Sequence, residues 1–106
     1  MNTFRINDFD LACEERGEGE PLVLVHGAVG DLRSWENQMA SFATQYRVIA
    51  YSRRWHYPHS TGIGDARYTL DVHVADLIAL VQHHGPAHLV GHSYGAATCA
   101  MVALQR

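Results

Sequence analysis

The sequence predicts an α/β protein with a mainly parallel sheet of about five strands, the first pair antiparallel, and three flanking helices. Three observations carry that reading. Residues 21–25 are a continuous apolar run without alternation, the pattern of a strand covered on both faces of a parallel sheet, and residues 46–51 read as a second buried strand. From residue 21 onward such runs alternate with segments of helical periodicity, which argues for right-handed βαβ connections. The pentapeptide Gly91-His92-Ser93-Tyr94-Gly95 stands between an apolar run and a run of small residues, so a strand gives way to a helix there.

Residues 4–13 read as an opening strand pair, with Phe4/Ile6 and Phe9/Leu11/Cys13 alternating about a turn at Asn7-Asp8. Residues 14–20, containing Gly17-Glu18-Gly19-Glu20, read as an acidic link. The run Pro21-Leu22-Val23-Leu24-Val25 ends in a glycine-rich loop, His26-Gly27-Ala28-Val29-Gly30-Asp31. Ser34 is placed to cap a helix carrying Trp35, Met39 and Phe42, and Glu36 in its first turn suits the helix dipole. Residues 46–51 form the next buried strand. Thr69 caps a second helix, on which Leu70, Val74, Leu77, Ile78 and Val81 line one face. His83-His84 fall in its last turn, and Gly85-Pro86 stop it. Ala87-His88-Leu89-Val90 is a short buried strand before the pentapeptide. Ala96, Ala97, Ala100, Met101 and Leu104 recur at helical spacing after it.

The pentapeptide reads G-x-S-x-G, the signature of a nucleophile elbow, in which a serine sits on a sharp strand-to-helix turn. Gly91 and Gly95 lack the Cβ that would keep the strand and helix apart. Together with the His26-Gly27 loop, these residues make the chain resemble the N-terminal part of an α/β-hydrolase fold protein of the serine-hydrolase, esterase-like type. The resemblance covers nearly the whole chain in family order. It implies Ser93 as nucleophile and an oxyanion hole built from the backbone N–H groups of Ala28 and Tyr94. Losing one such donor typically costs roughly 3–4 kcal/mol of barrier. His26 and Gly27 are implied as structural supports, with His26 hydrogen-bonded to backbone. Family members that open epoxides or remove halides carry aspartate at the elbow. Ser93 instead implies acyl transfer through an acyl-enzyme, on an ester, lactone, thioester or carbon–carbon bond beside a ketone.

In the family the acid and base of the triad follow the serine along the chain. Neither is found before Arg106, so residues 1–106 are expected to be the N-terminal part of one such domain, truncated and inactive alone. The alternative is a non-catalytic, hydrolase-like remnant that serves as a binding or assembly module. No internal histidine suits the role of base. His92 adjoins Ser93, but neighbours at a tight turn project apart. His73 lies at the edge of an apolar stripe. His83 and His84 lie at a helix C-terminus, where the dipole favours their charged forms, and His88 opens a strand at the end remote from Ser93. A serine without a base is a weak nucleophile. The Leu89-Val90 strand would be left as an exposed apolar edge, a route to self-association.

One stretch departs from the family pattern. Ser52-Arg53-Arg54-Trp55-His56-Tyr57-Pro58-His59-Ser60 places bulky aromatics where the family carries glycines. A surface loop with half-buried aromatics is the expected form, with Trp55 and Tyr57 at a cleft border as the alternative. His56-x-x-His59 has ligand-like spacing but no cysteine or carboxylate cluster beside it, so no metal site is expected. Gly27-x-x-Gly30 lacks the G-x-G-x-x-G spacing of a dinucleotide loop, and no cofactor is expected. The chain holds eight arginines and no lysine, which excludes Schiff-base and P-loop lysine chemistry. With a formal charge of −3 and no basic cluster beyond Arg53-Arg54, nothing points to nucleic acid. The first ten residues carry no signal-like apolar segment, and no stretch approaches membrane-spanning length, so a cytoplasmic protein with a small-molecule acyl substrate and no membrane partner is expected. Cys13 and Cys99 stand alone in apolar contexts and are expected as reduced thiols.

Overall fold

The structure, a computed structural model, describes residues 2–59 and 67–105; Ser60 lies outside them. Strands β1 (Asn2–Ile6) and β2 (Phe9–Arg16) form an antiparallel hairpin closed by Asn7 and Asp8, whose φ angles are 49° and 61°. A tight hairpin turn requires this left-handed backbone at its centre, and Asn and Asp tolerate it best after glycine. Strand β2 runs three residues past the expected end. Its segment from Cys13 to Arg16 pairs antiparallel with Tyr51 to Val48 of β4 (Arg47–Tyr51). The charged side chains of Glu14, Glu15 and Arg16 read as a link, but a backbone ladder needs no apolar side chain to form.

Strand β3 (Pro21–Val25) pairs parallel with β4 on one side and with β5 (His88–Gly91) on the other. The five-strand order is β1-β2-β4-β3-β5. This is the partial five-stranded sheet that the sequence predicts, but it is mixed rather than mainly parallel: β1–β2 and also β2–β4 are antiparallel, β4–β3 and β3–β5 parallel. Side chains alternate across it. Val23, Val25, Ile49 and Tyr51 face a layer that includes Leu11, Val74, Leu77, Leu80 and Val102, whereas Leu22, Leu24, Val48 and Ala50 face Met39, Trp35 and Phe42. The central strands therefore bury both faces, and their continuous apolar runs follow from that.

Helix α1 (Glu36–Phe42) covers the second face and is entered through a 3₁₀ turn, Leu32–Trp35. The cap differs from the expected one. The Asp31 carboxylate accepts from Arg33 N–H at 2.8 Å, and Ser34 Oγ accepts from Asp31 N–H at 3.2 Å, so Ser34 closes a capping box that Asp31 opens. Both residue types cap well; the extra 3₁₀ turn moves the start three residues earlier. Helix α2 (Leu70–His84) covers the first face. Thr69 Oγ1 accepts from Val72 N–H at 3.3 Å, and Gly85 at φ 86° ends the helix, both as predicted.

Helix α3 (Tyr94–Gln105) follows β5, and its buried residues are Gly95, Thr98 and Val102. Ala96, Ala97, Ala100 and Leu104 are exposed, so the small-residue periodicity located the helix and not its inner face. Strand β5 lies at the sheet edge, as expected for the Leu89-Val90 strand, and is half-buried. At the far end of α2, Phe4 packs on both His83 and His84. Burial lowers the His84 pKa, with the His83 charge next in effect, so desolvation overrides the expected dipole preference for its charged form. Among the described residues no helix is long and apolar enough to cross a membrane.

Candidate active site

The sharp turn after β5 places Ser93 at φ 56°, in the left-handed region that a side chain enters only under constraint. The constraint is visible on both sides. His92 N–H donates to Val25 O at 3.1 Å, which fastens the turn to the end of β3. Gly95 N–H donates to His92 O at 2.9 Å, and Ala96 N–H donates to Ser93 O at 2.9 Å, so α3 starts at once. A Cβ on Gly95 would run into the Val25 carbonyl oxygen and lie 2.6 Å from that of His26. A Cβ on Gly91 would lie 2.5 Å from Gly95 O. Only glycine lets α3 sit this close to β3, and that approach is what turns Ser93 outward. Ser93 is exposed.

The loop after β3 meets Ser93 across a cleft of about 550 Å³. His26, Gly27, Ala28, His92 and Ser93 line it together with Trp35 and Gln38. The structure thus brings five of these sequence-marked residues to one place, from two strand ends adjacent in the sheet. Tyr94 follows Ser93 as the first residue of α3, where an N–H has no intrahelical acceptor. Its ring turns away from the cleft. It stacks on the Arg53 guanidinium at 4.4 Å and meets the rings of His73 and Tyr68.

His26 is buried and its two ring nitrogens are both engaged. Nδ1–H donates to Gly27 O at 2.7 Å, and Nε2 accepts from Arg53 N–H at 2.9 Å. Burial chiefly, helped by the Arg53 and His56 charges and opposed by the bond to Gly27, lowers its pKa to about 3. His26 is therefore neutral, with both ring nitrogens on backbone groups. His73 is fully buried, deeper than the apolar edge expected for it, and neither ring nitrogen has a hydrogen-bond partner among the described residues. Burial again leads, with Arg53 next, in lowering its pKa to about 3. His88 is paired with Glu20 at 2.8 Å on the exposed far end of β5. Among the described residues no ring nitrogen is hydrogen-bonded to Ser93 Oγ.

The aromatic stretch after β4 does not border the cleft. Trp55 packs on the rings of Tyr68 and His73, and the exposed Tyr57 ring carries the Arg33 guanidinium at 3.7 Å. His56 and His59 diverge. His56 bonds to Gly30 and Tyr68, and His59 Nε2 accepts from Ala12 N–H at 3.2 Å. Arg54 forms a two-pronged contact with Asp76 of α2 at 3.0 and 3.1 Å, and Asn7 of the hairpin turn bonds the same carboxylate at 3.1 Å. Arg53 is the unforeseen element. It is 1% exposed and, among the described residues, has no carboxylate partner. Its side chain bonds His26 O at 3.3 Å, Gly27 O at 2.9 Å and Tyr68 Oη at 3.3 Å. The arginine doublet was a sequence signal, but its burial beneath the His26-Gly27 loop was not.

A serine on a strand-to-helix elbow, facing a glycine-rich loop at the adjacent strand end, defines a hydrolase-type α/β protein. Comparison with known proteins agrees. The sequence model of the alpha/beta hydrolase fold matches residues 20–106, and the chain belongs to that family. It is 34% identical over 92 residues to the (E)-2-((N-methylformamido)methylene)succinate hydrolase of Acinetobacter baylyi, covering 87% of this chain and 35% of that protein. It is 34% identical over 90 residues to the 2-hydroxy-6-oxo-6-(2'-aminophenyl)hexa-2,4-dienoic acid hydrolase of Metapseudomonas resinovorans, covering 79% of this chain and 30% of that one. Among solved structures, an epoxide hydrolase of Vigna radiata superposes with a TM-score of 0.88 at 26% identity, over 97% of this chain and 34% of its own. The N-formylmaleamic acid deformylase of Pseudomonas putida S16 gives 0.87 at 25% identity, over 97% and 40%. The chain spans about a third of the length of these relatives.

Proposed function

We propose that this chain carries the nucleophile and oxyanion hole of a serine hydrolase acting on ester-like bonds: carboxylic esters, lactones or thioesters. The observation that carries the reading is Ser93 at φ 56°, exposed in a cleft it shares with Gly27 and Ala28. Ser93 Oγ attacks the substrate carbonyl carbon while its proton passes to a base. The carbonyl oxygen, now an oxyanion, takes hydrogen bonds from Ala28 N–H and Tyr94 N–H. Collapse of the tetrahedral intermediate expels the alcohol or thiol, which recovers the proton. Water then attacks the acyl-enzyme, releases the acid and restores Ser93 Oγ–H.

The base and its orienting acid are assigned to a segment outside the described residues, because no histidine among them is bonded to Ser93 Oγ. The relatives span about three times this length, which leaves room for both. Similarity to an epoxide hydrolase supports the fold and not epoxide opening, since serine stands at the elbow where the family's epoxide-opening members carry aspartate. The test is intact-mass detection of an acyl adduct with a nitrophenyl ester. The chimera joins residues 1–106 to the C-terminal two-thirds of the Acinetobacter baylyi relative. An adduct present in the chimera and absent from its Ser93→Ala form supports the reading. A folded chimera that forms none, while the parent relative does, overturns it.

A further inference from the structure

Gly27 O is held by three donors: His26 Nδ1–H at 2.7 Å, Arg53 Nη2–H at 2.9 Å and Gly30 N–H at 3.2 Å. That carbonyl belongs to the same peptide unit as Ala28 N–H. In a trans peptide the C=O and N–H point in opposite directions. Locking the carbonyl inward on Arg53 and His26 therefore fixes the N–H outward, toward the cleft that Ala28 and Ser93 line. A buried cation on the carbonyl oxygen also draws charge from the peptide and makes its N–H a stronger donor.

The other end of the same turn is tied to the same arginine. Arg53 Nη1–H donates to Tyr68 Oη at 3.3 Å, and Tyr68 O–H donates to His56 Nε2 at 2.7 Å. His56 Nδ1–H then donates to Gly30 O at 2.9 Å. One guanidinium thus anchors Gly27 O directly and Gly30 O through two side chains. These are the two ends of the turn that carries Ala28 and Val29. Taking the guanidinium out of water is costly, and among the described residues the loop carbonyls, the Tyr68 hydroxyl and the Tyr94 ring offset it.

We propose that Arg53 is the positioning residue of the oxyanion loop, orienting and polarising the Gly27–Ala28 peptide through Gly27 O and bracing its far end through Tyr68 and His56. The role rests on the reading of Ala28 N–H as an oxyanion donor. The test is carbonyl and amide NMR on the full chain in wild type, Arg53→Met, Arg53→Lys and Tyr68→Phe. Arg53→Met moves the Gly27 carbonyl carbon and Ala28 amide proton upfield and lowers the exchange protection of Gly30 N–H about tenfold or more. Arg53→Lys, which keeps the charge on a single donor nitrogen, recovers part of each change. Tyr68→Phe moves the Gly30 carbonyl and leaves that of Gly27. Unchanged Gly27 and Ala28 signals in a folded Arg53→Met chain overturn the proposal.

Should Arg53→Met unfold, the wild-type chain decides the matter. A held guanidinium gives resolved, slowly exchanging Nη–H signals, and rapidly averaged ones overturn the proposal. The two readings fail separately. A Ser93 that never forms an adduct, with the Gly27 response intact, overturns the hydrolase reading and leaves Arg53 as the residue that orients the Gly27–Ala28 peptide. Adduct formation without a Gly27 response overturns the role of Arg53 alone.

Discussion

Replacing His73 by leucine is predicted to remove a large share of this chain's acid sensitivity. His26 and His73 are buried, and both have a folded-state pKa lowered to about 3 from 6.5. The unfolded chain therefore binds protons that the folded chain refuses. Stability is at its full value above the unfolded pKa and falls as pH drops from about 6.5 toward 3. At about pH 5 an unfolded imidazole is protonated and a folded one is not, a difference of roughly 2 kcal/mol per group and about 4 for the pair. A domain of this size has only about 5–15 kcal/mol in total, so that loss is a large fraction. Among the described residues His73 has no hydrogen-bond partner on either nitrogen, so leucine removes a buried polar group without orphaning another of them. Urea unfolding followed by Trp fluorescence at about pH 7.5 and pH 5 reads the difference. His73→Leu should equal or exceed wild type at the higher pH and lose about 2 kcal/mol less on acidification. An identical pH dependence in the two proteins would refute the reasoning.

Three other perturbations follow from the same geometry. Gly95→Ala drives a methyl into the Val25 and His26 carbonyls, so α3 must lift from β3; a loss of about 3 kcal/mol or more is expected in thermal unfolding. Ser93→Gly relieves the φ 56° backbone and should raise stability by about 1 kcal/mol while abolishing adduct formation, a stability gain checked by calorimetry. Asp76→Asn leaves the Arg54 guanidinium and the Asn7 amide facing a neutral group; the urea midpoint should fall by the equivalent of about 2–4 kcal/mol.

The parts of the fold legible in sequence were those fixed by local chemistry. The unbroken apolar runs at residues 21–25 and 48–51 mark strands buried on both faces, and Thr69 and Gly85 bracket α2 by their capping chemistry alone. The elbow was equally legible, because Gly91 and Gly95 are demanded by a backbone approach that the motif encodes. What could not be read depends on partners distant in the chain. The extension of β2 is set by its ladder with β4 and not by its own charged side chains. The inner face of α3 is chosen by how Gly95 seats on β3, so Thr98 is buried and Leu104 is 81% exposed. Arg53, Tyr68, His56 and Gly30 meet across separations of 12 to 26 residues, and no spacing rule announces a buried arginine.

Ser93 is proposed as a nucleophile presented by this chain and activated by a base from outside the described residues. Fluorophosphonate labelling tests it most directly, applied to the 106-residue chain and to its chimera with the C-terminal part of the Acinetobacter baylyi relative, each beside its Ser93→Ala form. Labelling is expected of the chimera alone, and is lost in the Ser93→Ala chimera. A folded chimera that stays unlabelled, or labelling that survives Ser93→Ala, would contradict the nucleophile. Labelling of the isolated chain that disappears in Ser93→Ala would contradict the outside base.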